Sequence, residues 1–276
     1  MSLYDFHCHL GFFPCEGDAG AAAEAALAGV DGFFNCTVTP EEYVGVLERF
    51  AGDARVVTAP GLHPWYLAGD AEVALAQADA VCGLIRSGSP VGEIGLDFGP
   101  RHTGTREVQT EAFRRIVARA AEVGECVLSL HSVQASETVL DILEGADFFS
   151  RGTAIFHWYS GSSVHLSRAL ADGARFSLNP RMLLTKRGRE YARIIPVDRL
   201  LTETDFPAED GICPEPVADA LTRLIAGVAE LRGMDSAALE ARIGYNSREL
   251  FARMAGSGAV PAGCGGAVPA AGAVKG

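Results

Sequence analysis

The segment FHCHL places two imidazoles, His7 and His9, two positions apart in a short apolar run. Side chains alternate across a strand, so both rings leave on one side and Cys8 leaves on the other. Two imidazoles on one face make a clamp for a divalent metal. An isolated H-x-H is as readily a pair of hydrogen-bonded core or surface histidines, so the rest of the chain has to decide.

Later apolar runs carry groups of the same chemistry. Glu93 follows the fourth run in VGEIGLDF, His131 ends the fifth in VLSLHS, His157 ends the sixth in AIFHWYSG, and Asp205 ends the eighth in LLTETDFP. His63 closes the third in GLHPW, so five of the seven histidines sit in or at the ends of such runs. Imidazole mixed with carboxylate suits zinc or manganese, and also magnesium where more oxygen ligands and water join. Some barrel hydrolases bridge two metals with a carbamylated lysine. Here the lysines are Lys186 and Lys275, neither in a predicted strand, which leaves Glu93 as the candidate bridge.

Other residues admit two readings. His63 could hydrogen-bond a phosphate oxygen or a leaving group, or fill the end of its strand. Asp5 and Asp97 flank the ligand segments and could orient imidazoles or cap turns. Trp158 and Tyr159 could stack a nucleobase or pack beneath a loop. Arg181, Lys186, Arg187, Arg189 and Arg193 form a basic stretch interrupted by Glu190, with Lys186 and Arg187 as candidate phosphate contacts; such runs are more often a solvated helix face.

The elements that must position these groups follow a repeated pattern. Runs near residues 3–9, 31–37, 55–62, 90–96, 126–131, 153–158, 174–179 and 199–204 read as strands. Helical segments lie between them; in 105–123, Phe113, Ile116, Val117 and Ala120 recur at i, i+3, i+4 and i+7. The strands are apolar almost throughout, as expected of a parallel sheet covered by helices. Eight β-α units predict an α/β fold, a TIM-like (β/α)8 barrel, whose active site lies at the C-terminal strand ends. An open doubly wound sheet has the same alternation.

A length of 276 residues fits one such barrel over residues 1–254, followed by a flexible Gly/Ala/Pro-rich tail over 255–276. The net charge of −12 offers no global attraction for nucleic acid, so phosphate contacts must come from local cations or bound metal. Seven dispersed cysteines without a C-x-x-C pair, and an N-terminus without a signal-like segment, predict a cytoplasmic protein with no nucleophilic cysteine. Charges, Gly or Pro interrupt every hydrophobic run, so no membrane association is expected.

Taken in order, FHCHL, GLHPW, GEIGLDF, LSLHS, FHWYSG and LTETDFP resemble the TatD family of metal-dependent hydrolases over residues 3–254. The resemblance implies that His7, His9, Glu93 and Asp205 hold one divalent ion and that Glu93, His131 and His157 hold a second, with Glu93 shared. It implies a hydrolase using a metal-activated water, Asp205 accepting the water proton, and a nucleic-acid substrate with DNA favoured; some branches are aminoacyl-tRNA deacylases. The FSLNP, GRE and LTETD segments are similar to the QatD branch, which implies protein partners in an antiphage defence complex. A family-derived subunit that mainly binds such a partner is the non-enzymatic alternative. Three segments depart from the pattern: VQA follows LSLHS where an Arg is common, Trp65 stands where a second His is frequent, and AEDGICPEPVADAL replaces the usual loop after Asp205.

Overall fold

The computed structural model describes residues 2–13, 24–67 and 69–256. Eight parallel strands follow chain order: β1 Tyr4–Cys8, β2 Gly32–Cys36, β3 Val56–Ala59, β4 Pro90–Asp97, β5 Val127–Val133, β6 Thr153–His157, β7 Arg175–Leu178 and β8 Leu200–Thr202. They form a three-stranded sheet β1-β2-β3 and a five-stranded sheet β4-β5-β6-β7-β8. Two seams join these into a TIM barrel. At one, Leu62 bridges Ile94 and its N–H donates to the Glu93 carbonyl at 2.9 Å. At the other, the Asp205 and His9 N–H groups donate to the carbonyls of His7 and Phe206, at 2.9 and 2.8 Å.

All eight predicted strands are present, and the third and eighth end two or more residues before the expected boundary. The third stops at Ala59 because Pro60 has no N–H to continue a ladder, and Leu62 then makes only its isolated bridge. The eighth ends at Thr202; the Glu203 N–H still donates to the Leu178 carbonyl of β7, and from Asp205 the backbone bonds to the first strand.

Between and after the strands lie helices α1 Pro40–Phe50, α2 Ala71–Leu84, α3 Arg106–Val123, α4 Ser136–Gly145, α5 Ser163–Ala171, α6 Lys186–Ile194, α7 Val217–Arg232 and α8 Ser236–Gly256. In α3 the apolar positions Phe113, Ile116, Val117 and Ala120 are all buried, as their spacing requires. The expected tail begins inside the last turn of α8, so Ala255 and Gly256 are helical, and 257–276 lie outside the described residues. No helix among the described residues is long and apolar enough to cross a membrane.

The barrel interior is filled from below by Tyr4, Phe6, Phe34, Ala59, Val127, Ile155 and Leu201, and Leu250, Phe251 and Met254 of α8 pack against them. Tyr4 and Phe251 meet at 5.4 Å between ring centroids, so α8 plugs the N-terminal end of the strands. The opposite end stays open.

Strict alternation would send Phe6 and His7 to opposite faces. The pairing of β1 with β2 shifts between Asp5 and Cys8, and that irregularity lets Phe6 fill the interior while His7 and His9 both face the mouth. A second shift between Val91 and Ile94 does the same for Glu93 in β4. Close backbone approach is needed here: a Cβ on Gly61 would lie 2.4 Å from the Glu93 nitrogen, and one on Gly95 would lie 2.0 Å from the His131 carbonyl oxygen.

Candidate metal centre

Glu93 stands at the middle of the mouth, and its two oxygens face different sets of imidazoles. Oε2 lies 3.2 Å from both His7 Nε2 and His9 Nε2. Oε1 lies 2.8 Å from His131 Nδ1, 2.9 Å from His157 Nε2 and 3.3 Å from His63 Nε2. Asp205 joins the first set, with Oδ1 at 3.6 Å from His7 Nε2 and 3.3 Å from His9 Nε2. The His7 and His157 rings stack at 3.8 Å, so the two sets touch.

The outer ring nitrogens are already engaged, which aims the inner ones. His9 Nδ1 donates to the Cys36 carbonyl at 3.1 Å, leaving the Nε2 lone pair turned inward. His7 Nδ1 meets Ser129 Oγ at 2.7 Å. His157 Nδ1 faces Glu203 Oε1 at 3.5 Å, and neither atom has another hydrogen-bond partner among the described residues. Ser177 Oγ donates to the other oxygen of Glu203. His63 differs: its Nδ1 accepts the Trp65 N–H at 3.2 Å, so the proton of the neutral ring sits on Nε2 and points at Glu93.

Electrostatics follow from this crowding. Burial alone would raise the Glu93 acid, but the surrounding imidazoles of His63, His157 and His7 outweigh it and hold the carboxyl well below its ordinary range. Asp205 is likewise raised by burial and lowered further by its bond to His9 and the charges of His7 and His9, for a net decrease. Burial would lower His9, yet Asp205 and Glu93 lift it to about 10. Burial dominates at His63, which falls to about 4. Burial would likewise lower His131 and His157, yet Asp97 and Glu93 raise the first, and Glu93 and Glu203 the second, so positive charge is favoured around the two carboxylates. A divalent cation would supply that charge at the same atoms, and this is the chemistry the donor set fits. Among the described residues, three trios have donor atoms within 4.8 Å of one another: His7, His9 and Glu93; His63, Glu93 and His131; and His7, His157 and Asp205.

All six expected metal ligands therefore converge, and His63 lies beside them rather than apart. Lys186 and Arg187 do not line the cavity above the centre; Arg187 Nη1 donates to the Ser160 carbonyl at 3.0 Å. Arg181 of the same basic stretch does line it. Trp158 lines it too, whereas Tyr159 is buried and donates its hydroxyl to the Ser162 carbonyl at 2.9 Å. Asp97 orients a ring, its Oδ2 lying 3.3 Å from His131 Nε2. Asp5 instead holds backbone, accepting from the N–H of His7 at 3.2 Å and of Thr204 at 3.1 Å. Burial raises Asp5 to about 8. Glu203 and Ser129 were not anticipated from sequence. Alternation offered a signal for both, because Glu203 shares the face of Asp205 and Ser129 that of His131.

The cavity measures about 570 Å³. On one side Tyr66 donates its hydroxyl to Glu209 at 3.1 Å, linking the loop after β3 to the loop after β8.

A family model described as "TatD related DNase" matches residues 4–252. The "3'-5' ssDNA/RNA exonuclease TatD" of Pectobacterium atrosepticum is 31% identical over 244 residues, covering 82% of this chain and 90% of that protein. The protein of the same name from Erwinia amylovora is 34% identical over 171 residues, 58% of this chain, and the match spans 65% of that relative's length. The crystal structure of YJJV, a TATD homolog from Escherichia coli K12, superposes with a TM-score of 0.73 at 26% identity, over 91% of this chain and 98% of that one.

Proposed function

The chain belongs to the TatD-related DNase family, and on that premise we propose that it is a metal-dependent hydrolase cleaving phosphodiester bonds in nucleic acid, DNA before RNA. The observation that carries this reading is the position of Glu93, whose two oxygens lie within 3.3 Å of five imidazole nitrogens divided into two sets. His7, His9, Glu93 and Asp205 would hold one divalent ion, and Glu93, His131 and His157 a second, each being Mg²⁺, Mn²⁺ or Zn²⁺. Bound there, such ions supply Lewis acidity that polarises a phosphoryl oxygen and brings the pKa of a water toward about 7.

The protein's own groups do the rest. Asp205 and Glu93 both line the cavity, and Asp205 is the more accessible of the two, with a quarter of its side chain exposed, against 3% for Glu93. Kept ionised by His9 and His7, it is placed to take the proton of an attacking water. His63, with its proton on Nε2, can donate to a phosphoryl oxygen, and the Arg181 guanidinium at the rim offers a charge to a neighbouring phosphate. Resemblance of FSLNP, GRE and LTETD to the QatD branch supports extending the proposal to activity within an antiphage complex.

The test is hydrolysis of end-labelled single- and double-stranded DNA and RNA with Mg²⁺, Mn²⁺ or Zn²⁺, against the double variant His7→Ala/His9→Ala. Metal-dependent cleavage lost in the variant supports the reading. Cleavage of aminoacyl-tRNA esters alone would move the substrate to a carbonyl, and no metal-dependent hydrolysis of either would overturn it.

A further inference from the structure

The chain has two tryptophans, Trp65 and Trp158, and both line the cavity over the metal centre. Trp65 follows β3 and Trp158 follows β6, so they enter from either side of the arc that carries Glu93 and His131.

Trp65 is not placed as core packing would place it, and Trp158, although it rests against the core, also lines the cavity. Trp65 is 49% exposed, yet its indole N–H donates to Asp97 Oδ2 at 2.7 Å. That same oxygen lies 3.3 Å from His131 Nε2, so one carboxylate fixes the indole in register with a proposed metal ligand. A planar ring is already accepted by this indole: His102 lies parallel to it within 10°, at 5.5 Å between centroids. Trp158 sits at φ 38°, a left-handed conformation that costs a non-glycine residue energy and turns its ring to the cavity directly after His157. The Arg181 guanidinium lies over that ring at 5.3 Å. A cavity-lining aromatic ring with a guanidinium beside it is the combination that binds an unpaired base and its phosphate together.

We propose that Trp65 and Trp158 are stacking platforms for two unpaired nucleobases, one on each side of the phosphodiester held at the metal centre. This deepens the phosphodiesterase reading and rests on it. Paired bases cannot present their faces to the two indoles, which accords with the single-stranded substrates in the names of the relatives, and Asp97 acts as a positioning residue for the first platform.

Since the two platforms are also the chain's tryptophans, its indole emission reports them directly. The full-length, metal-loaded protein is titrated with a single-stranded thymidine oligonucleotide and with an abasic oligonucleotide of equal phosphate number, both carrying phosphorothioate linkages that resist hydrolysis. Trp65→Phe and Trp158→Phe each leave one indole as emitter. The proposal expects the thymidine strand, and not the abasic one, to change the emission of the wild type and of both variants. In steady-state assays Trp65→Ala and Trp158→Ala should each raise KM for single-stranded DNA about tenfold with kcat little changed, and phenylalanine should restore most of the loss. Equal responses to the two strands, or an unchanged KM in both alanine variants of an enzyme that still cleaves DNA, would overturn the platforms and leave the phosphodiesterase reading standing. No nucleic-acid cleavage by the wild type with any of the three metals would remove both.

Discussion

Glu93, His7, His9 and His157 sit in the strands or directly after them with no more than 7% of their surface exposed, whereas Trp65, Tyr66 and Ile212 line the same cavity from the connections between elements and are between 38% and 64% exposed. The floor of the mouth is held by the sheet itself: backbone pairing sets where each ring points, and the second nitrogen of most rings is occupied from outside. The rim is held by single bonds, such as Tyr66 to Glu209 and Trp65 to Asp97. A floor built this way can fix metal and proton chemistry within a fraction of an ångström, while the rim is free to set what the chemistry acts on.

Substitutions can break this contrast, beginning at its centre. Glu93→Gln removes the charge that five imidazoles surround and should lower kcat/KM on the order of 10⁴-fold, with metal retention falling in parallel in a dialysis assay. Asp205→Asn should keep the fold, read as an unchanged circular-dichroism spectrum, and lose turnover on the order of 10³-fold. Near-normal turnover would remove it as proton acceptor.

Glu203→Gln probes a residue behind the floor. It takes the carboxylate from behind His157 and should weaken metal affinity about 10- to 100-fold, measured by calorimetry, while the cavity lining stays as it is. At the rim, Tyr66→Phe breaks the bridge to Glu209 and should change kcat/KM only a few-fold. Charge reversal of Lys186 and Arg187, which lie outside the cavity, should be equally mild and should fade as salt rises. If a rim substitution costs as much as Glu93→Gln, the division between floor and rim is wrong.

The same division explains what could be read from the amino-acid order. His7, His9, Glu93, His131, His157 and Asp205 were legible because strands carry side chains to one face at a period of two, and groups of metal-ligand chemistry recur in run after run. The pairing shifts in β1 and β4 were not legible, since an irregularity of one residue leaves no mark in a short apolar run. Glu203 and Ser129 were within reach of the alternation argument, but a single buried polar residue does not show which ring it supports. At the rim, proximity is decided by loops that no periodicity constrains. Arg181 lines the cavity, while Lys186 and Arg187, a few residues on in the first turn of α6, do not.

The shared carboxylate is the claim on which the rest depends, and metal stoichiometry tests it most directly. Wild-type protein, Glu93→Gln and Asp205→Asn are dialysed against Mn²⁺, and bound metal per chain is measured by mass spectrometry. The account predicts two ions in the wild type, loss of both in Glu93→Gln, and loss of one in Asp205→Asn. A single ion in the wild type, or a Glu93→Gln protein that keeps its full complement, would contradict it.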